Sequence, residues 1–324
     1  MTPSIITIVA VYAALWIFVI TRTRLGGAAG SSGSQDSGTL LGPWMRLQLL
    51  IIASALVAFP FYWMITNSIK PLAEAGGYPP TFIPEMAREG RWGDLFAQLK
   101  ENYKVAWESP PGPMTFARYF WISFATGAAT TLGVLLTSIP AAFALARMKF
   151  AGKGLVFYLV LATLMVPSQV LIIPNYLILE RLGWLDGYAA LIVPFLASVV
   201  TIFLLRQFFM TVPEELWHAA QLDGAGRFAF MWRILVPQAI PVIVAASIFT
   251  FLAQWNSLMW PLIVTTRPDM RTLMVGLQGF GQEAGGQTHL LMAAATFSMM
   301  PIVIAFFFLQ RFFIQSVMRT GLKG

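Results

Sequence analysis

The stretch "WHAAQLDGAGRFAFMWRILVP", Trp217 to Pro237, lies between two long apolar runs. It carries charge, glycines and small residues where its neighbours carry almost none. Pro213 suits a first helical turn, and Glu214 and Glu215 suit the positive end of a helix dipole. Leu216, Ala219 and Ala220 share a face at helical spacing, and Gly224 suits a helix end. Asp223 is placed to cap a second helix, in which Phe228, Trp232 and Leu235 share a face before Pro237 ends it. The stretch therefore predicts two short helices at an angle, too polar for lipid. Its small residues, Ala219, Ala220, Gly224, Ala225 and Gly226, admit the close approach of a partner backbone. By the residues alone, a docking element and a partnerless interfacial hairpin both fit.

The flanks set the context. Of 324 residues, 57% are hydrophobic and 11% charged, against roughly a quarter charged in a soluble domain. Uncharged runs cover Met1–Thr21, Leu47–Ile69, Tyr119–Ala146, Gly154–Leu179, Gly187–Leu205, Ile234–Thr266 and Ala284–Gln310. Each holds about 20 residues, enough for a helix to cross the hydrocarbon core. None alternates as a barrel strand does. The expected fold class is an all-α integral membrane protein.

The net charge of +7 has a sidedness. With the segment after the first run placed in the cytoplasm and sides alternating thereafter, the inside holds twelve bases and four acids, the outside nine bases and ten acids. Excess Lys and Arg inside is the rule for membrane proteins, so the basic balance reports orientation rather than nucleic-acid binding. There is no cysteine, which excludes disulfides and thiolate chemistry. No charged residue lies in any of the seven runs, so the bundle offers no intramembrane carboxylate for a proton or sodium ion. The sequence holds no phosphate-binding G-x-x-x-x-G-K-[ST] loop. Neither His218 nor His289 belongs to a catalytic constellation, and no metal site is expected.

Five regions are expected. Residues 1–24 form an extra N-terminal transmembrane helix, since its arginines follow the apolar run rather than precede it. A cleaved signal is the alternative. Residues 25–46 form a Gly/Ser-rich cytoplasmic linker. Residues 47–118 hold the first core helix and a long extracytoplasmic loop, in which "WGDLFAQLKENYKVAW" reads either as a short amphipathic helix or as a solvated loop. Residues 119–310 form the rest of a six-helix core, with the polar island at 213–237. Residues 311–324 form a cytoplasmic tail. Prolines Pro60, Pro140, Pro167, Pro174, Pro194, Pro241, Pro261 and Pro301 interrupt the runs, as kinks around a pathway or as packing features.

The island resembles the signature E-A-A-x-x-x-G-x9-I-x-L-P of binding-protein-dependent ABC importer permeases. Ala219, Ala220, Gly224, Ile234 and Pro237 match it, as does the family-typical Asp-Gly-Ala at Asp223–Ala225. His218 stands where the glutamate is usual, and Val236 where leucine is. "FPFYWMITNSIKP", "IPAAFALARMKFAGK", "MVPSQVLIIPNYLIL", "RLGWLDGYAALIVP", "FLLRQFFMTVPEEL", "QWNSLMWPLIV" and "LQRFFIQSVMRTGLKG" resemble the smaller permease of the carbohydrate (maltose-type) pair. The resemblance spans about Leu47 to Gly324.

The resemblance implies a type I ABC importer transmembrane fold and a multi-pass inner-membrane subunit that is not itself an enzyme. It implies a second, larger permease, two ATPase subunits that bind ATP and Mg, an extracytoplasmic solute-binding protein and a sugar as cargo. No cofactor is expected in this chain. The island becomes a coupling helix, with Glu215, His218, Ala219, Ala220, Asp223, Gly224, Ala225 and Arg227 facing the ATPase. For the solute pathway the candidates are Gln169, Asn175, Tyr176, Gln254, Trp255 and Asn256, polar or aromatic residues inside apolar runs. A membrane scaffold that binds another soluble protein through the island is the alternative.

Overall fold

A computed structural model describes residues 43–108, 113–282 and 287–321, which are almost wholly helical and contain no strand. The chain divides into two compact units, Met1–Val57 and Ala58–Gly324. The described part of the first, residues 43–57, is helical throughout and opens α1 (Pro43–Ile69). Proline at a first helical position has no donor to leave unpaired, so the helix starts four residues before the apolar run. The expected helix at 1–24 and residues 25–42 of the linker lie outside the described residues.

The second unit contains the amphipathic α2 (Trp92–Glu108) and the long α3 (Phe116–Arg147). Next come α4 (Lys153–Ala162), α5 (Ile172–Arg181), α6 (Tyr188–Ile192) and α7 (Val199–Thr211). The island supplies α8 (Glu215–Leu222) and α9 (Arg227–Phe230). After it come α10 (Ile240–Trp255), α11 (Met259–Val264), α12 (Leu273–Gln282) and α13 (Thr288–Gly321).

Among the described residues three helices are long and apolar enough to cross a membrane: Leu47–Ile69, Phe116–Arg147 and Thr288–Phe307. Three bent pairs bring the total to as many as six, the number the sequence predicts for the core. The bends have local causes. Lys153–Met165 and Ser168–Arg181 meet at 88°. Between them Val166 is extended (φ −84°, ψ 115°), as expected for a residue preceding proline. Tyr188–Phe195 and Val199–Thr211 meet at 41°, after Pro194, and the second segment restarts on Ser198, whose hydroxyl accepts from the Thr201 N–H at 3.2 Å. Arg227–Gln238 and Ile240–Trp255 meet at 79°, between Pro237 and Pro241. Each of these prolines removes a helical donor, so Ala239 can leave the helical path.

α3 packs along α7 and α10 and is the spine of the unit. One buried cluster gathers near its C-terminal end: Ile139, Ala142 and Phe143 with Leu205, Phe209 and the island's Ala220, Phe230, Met231 and Leu235. A second lies near its start, where Phe116 and Tyr119 meet Trp255, Leu273, Phe280 and Ala293. Here α2 lies against α13, with the Tyr103 and Trp107 rings about 5 Å from that of Phe297. The amphipathic alternative for this loop is therefore the one observed.

Two more segments are helical. The Gly- and Gln-rich stretch after Arg267 contains α12. Its Leu273 and Phe280 are buried at helical spacing, and Gly276 leaves room for the Tyr119 ring, which a Cβ would meet at 2.6 Å. The expected tail at 311–324 is helical through Gly321, because no glycine or proline interrupts the run after Pro301.

Candidate coupling site

The island folds as two helices joined by a tight corner. α8 ends on Asp223, and Gly224 follows with φ +76°. The Ala225 N–H donates to the Ala220 carbonyl at 2.8 Å and the Gly224 N–H to that of Gln221 at 3.0 Å. This is the Schellman pattern, which needs a left-handed residue at the position glycine occupies. Asp223 therefore closes the first helix and does not cap the second. Gly226 holds that place, without a side-chain cap. The Trp217 and Phe230 rings, 5.0 Å apart and edge to face, fix the two helices to each other.

Burial divides the island. Ala220, Phe230, Met231 and Leu235 face the protein, with Trp217, Ala225 and Trp232 packed around them. Leu216, His218, Ala219, Gly224 and Arg227 face outward. Leu216 thus leaves the face predicted for it beside Ala220, and Phe228 leaves the one predicted beside Leu235. Leu222 is 91% exposed and Phe228 72%, one on each side of the glycine corner. After Phe230 the helix widens into a π-helical turn, Met231–Leu235, before the bend at Ala239. Such turns concentrate at functional sites.

A cavity of about 210 Å³ opens beside the corner, lined by Phe143, Arg147, Lys149, Glu214, Trp217, His218, Arg227 and Phe230. It holds three fixed cations, one carboxylate and the imidazole, so it suits an anionic group. The Arg147 guanidinium donates to the Val212 carbonyl, which leaves its buried Nε without a partner. The sequence singles out His218 and Arg227 here. It gives Arg147 and Lys149 only as charges that fix topology, and nothing in their spacing ties them to residues 65 or more positions away. Glu214, not Glu215, lines the cavity; Glu215 is exposed in the first turn of α8.

The six solute-pathway candidates are not brought together. Trp255 is fully buried and its indole N–H donates to the Ser298 carbonyl at 3.2 Å. The Asn256 amide donates to the Leu252 carbonyl at 3.0 Å, at the end of α10. Gln169 is exposed, Asn175 and Tyr176 are half-buried, and Tyr176 packs on a cluster around Leu179 and Trp260. Gln254 lines a cavity, with its amide donating to the Leu191 carbonyl at 2.9 Å.

Two staples beyond the ends of the candidate spans hold the connections. The Lys70 ammonium is buried, donates to the Asn67 side chain at 3.1 Å and to the Thr81 carbonyl, and sits 5.0 Å from the Trp63 ring. Burial lowers its pKa, against the opposing charge of Glu74. Asp186, at φ +56°, accepts from the N–H groups of Thr266 and Arg267 at 2.6 and 2.7 Å and from the Thr266 hydroxyl. Burial pushes its pKa up, but these hydrogen bonds and the Arg267 charge outweigh it and leave it lowered.

Residues 135–319 match the family model described as binding-protein-dependent transport system inner membrane component. The sn-glycerol-3-phosphate transport system permease protein UgpE of Brucella abortus is 33% identical over 278 residues, 84% of this chain and 94% of that protein. UgpE of Yersinia pestis is 32% identical over 273 residues, 83% and 93% of the two. Among solved structures, a bacterial ABC transporter involved in the import of the acidic polysaccharide alginate matches with a TM-score of 0.72. At 19% identity, over 87% of this chain and 100% of that one, it shows a shared fold. The extent of these matches leaves no room for the scaffold alternative: the chain belongs to the binding-protein-dependent transport system inner membrane components, and it is a membrane permease subunit of the sugar-type ABC importers.

Proposed function

We propose that this chain forms half of the translocation pathway of an ATP-driven importer, paired with a second, larger permease. The solute is a sugar or a related polyol or phosphoester, delivered by an extracytoplasmic binding protein. Two cytoplasmic ATPase subunits bind ATP and Mg, and one of them docks on the island through Glu215, His218, Ala219, Asp223, Gly224 and Arg227. Ala220 and Ala225 support that face from beneath. The C-terminus lies in the cytoplasm and the N-terminus outside.

One observation carries the docking assignment. Leu222 and Phe228 stand bare on either side of a glycine corner, in a segment too charged to enter lipid. Exposed apolar pairs of this kind rimmed by polar residues mark protein contacts. The basic cavity beside them receives an acidic side chain of the ATPase, in keeping with His218 where the family carries glutamate.

A tagged chain, extracted from its native membrane in mild detergent, should bring down a nucleotide-binding subunit and a second permease. Recovery without either would remove the energy source and end this assignment. The ATPase should also dissociate more readily as salt rises from about 0.1 M to about 1 M, where screening shortens from about 10 Å to 3 Å.

A further inference from the structure

A second cavity, of about 420 Å³, lies between α3, the break before α7, and α10. Its size falls within the range of small-molecule sites. Thr130, Ser198, Thr201, Thr250, Gln254 and Ser257 supply its polar lining, Phe195 and Phe249 its aromatic faces, and no charged residue takes part. Irregular backbone at membrane depth persists where it is buried in protein or lines a water-filled space, and transporters place solute sites at such broken helices. At this break the strand of freed carbonyls is partly used. Gln254 takes that of Leu191, and the Thr137 hydroxyl takes that of Leu196 at 2.6 Å.

The hydroxyls of this lining differ from those elsewhere in the bundle. A serine or threonine in a membrane helix ordinarily satisfies itself by donating to the carbonyl one turn back. Thr126, Thr131, Ser247, Thr296 and Ser298 all do so, at 2.7–2.8 Å. Thr250, inside α10, and Ser257, just past its end, make no side-chain hydrogen bond among the described residues, and the Thr130 hydroxyl is buried without a partner. Ser138 is also unpaired without lining the cavity, so a buried hydroxyl without a partner does not by itself mark a site, whereas Thr250 and Ser257 both face the cavity. Ser198 accepts from both the N–H and the hydroxyl of Thr201, which leaves its own proton to give away. Gln254 keeps one amide proton and its carbonyl free.

We infer that this cavity is a solute-contacting site within this chain, built for the hydroxyl groups of an uncharged sugar or polyol. Unpaired hydroxyls and an amide match donors and acceptors of the same kind. The absence of any cation leaves nothing to hold a phosphate or a carboxylate. The site rests on the importer assignment above and narrows its cargo.

The chain's lack of cysteine makes the test direct. In the assembled importer in membrane vesicles, Thr250→Cys and Ser257→Cys should react with a charged, membrane-impermeant methanethiosulfonate reagent. Leu132→Cys, on an exposed apolar stretch of α3, should not. Among glycerol, glucose, maltose and sn-glycerol-3-phosphate as probes, a neutral one should slow labelling. By mass action the slowing is about tenfold at roughly ten times its dissociation constant. No labelling at either position, protection by none of the probes, or protection by sn-glycerol-3-phosphate alone would each overturn the site. A chain that co-purifies with its ATPase yet fails here loses this inference only. One that labels and is protected but brings down no ATPase loses the docking assignment instead.

Discussion

Two cavities of this chain, the basic one at the island and the uncharged one between α3, α7 and α10, contrast in charge. The one at the island gathers Arg147, Lys149, Arg227, Glu214 and His218 beside bare apolar side chains. The one between α3, α7 and α10 is larger, has only hydroxyls and one amide, and sits where an ion would have to leave water. Charge is affordable in the first because solvent surrounds it until a protein covers it. In the second, specificity must come from neutral hydrogen bonds. On the two proposals above, a macromolecule and a small solute are recognised with separate chemistries, and each can be disturbed without the other.

The sharpest separation is Gly224→Trp. A Cβ at this position meets nothing within 4 Å, so the only internal cost is the left-handed backbone, about 1–2 kcal/mol. The indole projects into the space assigned to the ATPase. Co-purified ATPase should fall to background while labelling at position 250 persists, and an intact complex would remove Gly224 from the interface. Next in size is Trp255→Ala, behind the uncharged cavity. The ring is fully buried, packed 5.5 Å from Phe251 and 5.3 Å from Phe120. Its loss should cost about 3–5 kcal/mol and lower the thermal midpoint in detergent. An unchanged midpoint would recast Trp255 as a pathway residue.

Smaller is Gln254→Leu, which should reduce uptake at normal expression by removing one amide from the solute cavity, with ATPase association intact. Loss of association would couple the two sites after all. The smallest effect concerns the Asp186 staple, remote from both cavities. Its pKa is lowered below the ordinary 3.8, so its contribution is full above that value and fades as pH falls through the lowered one. The melting midpoints of the native chain and of Asp186→Asn should differ at neutral pH and converge in acid. A constant difference would locate the role of Asp186 in shape rather than charge.

Much of this was legible from residues alone. Hydrophobic run length placed the core spans, and the turn chemistry of Gly224 placed the island's corner. Position along the chain could not show which face of the island turns inward. Ala220 and Phe228 look alike as apolar residues at helical spacing, yet one is buried under Phe230 and the other stands in solvent. The basic cavity escaped notice because its cations come from the end of α3 and from α9, far apart in sequence. The pathway candidates were chosen as polar residues in apolar runs. That criterion finds Gln254, but it also admits Trp255, whose one donor is spent on the Ser298 carbonyl, and Asn256, which is exposed just past the end of α10. Free hydroxyls such as those of Thr250 and Ser257 look the same in sequence as self-bonded ones.

The joint at Ala239 sets a gear ratio. Pro237 and Pro241 carry no N–H, so the carbonyls of Arg233 and Pro237 lack the helical partners they would otherwise have. A swing about this point breaks neither bond, because neither exists. On one side is the short island, on the other the 16-residue α10, an arm of about 24 Å at 1.5 Å per residue. By that lever, a rotation of about 10° at the joint carries the far end, where Gln254 and Trp255 sit, through about 4 Å. A small tilt of the island becomes, at the other end of the crank, a displacement on the scale of a solute.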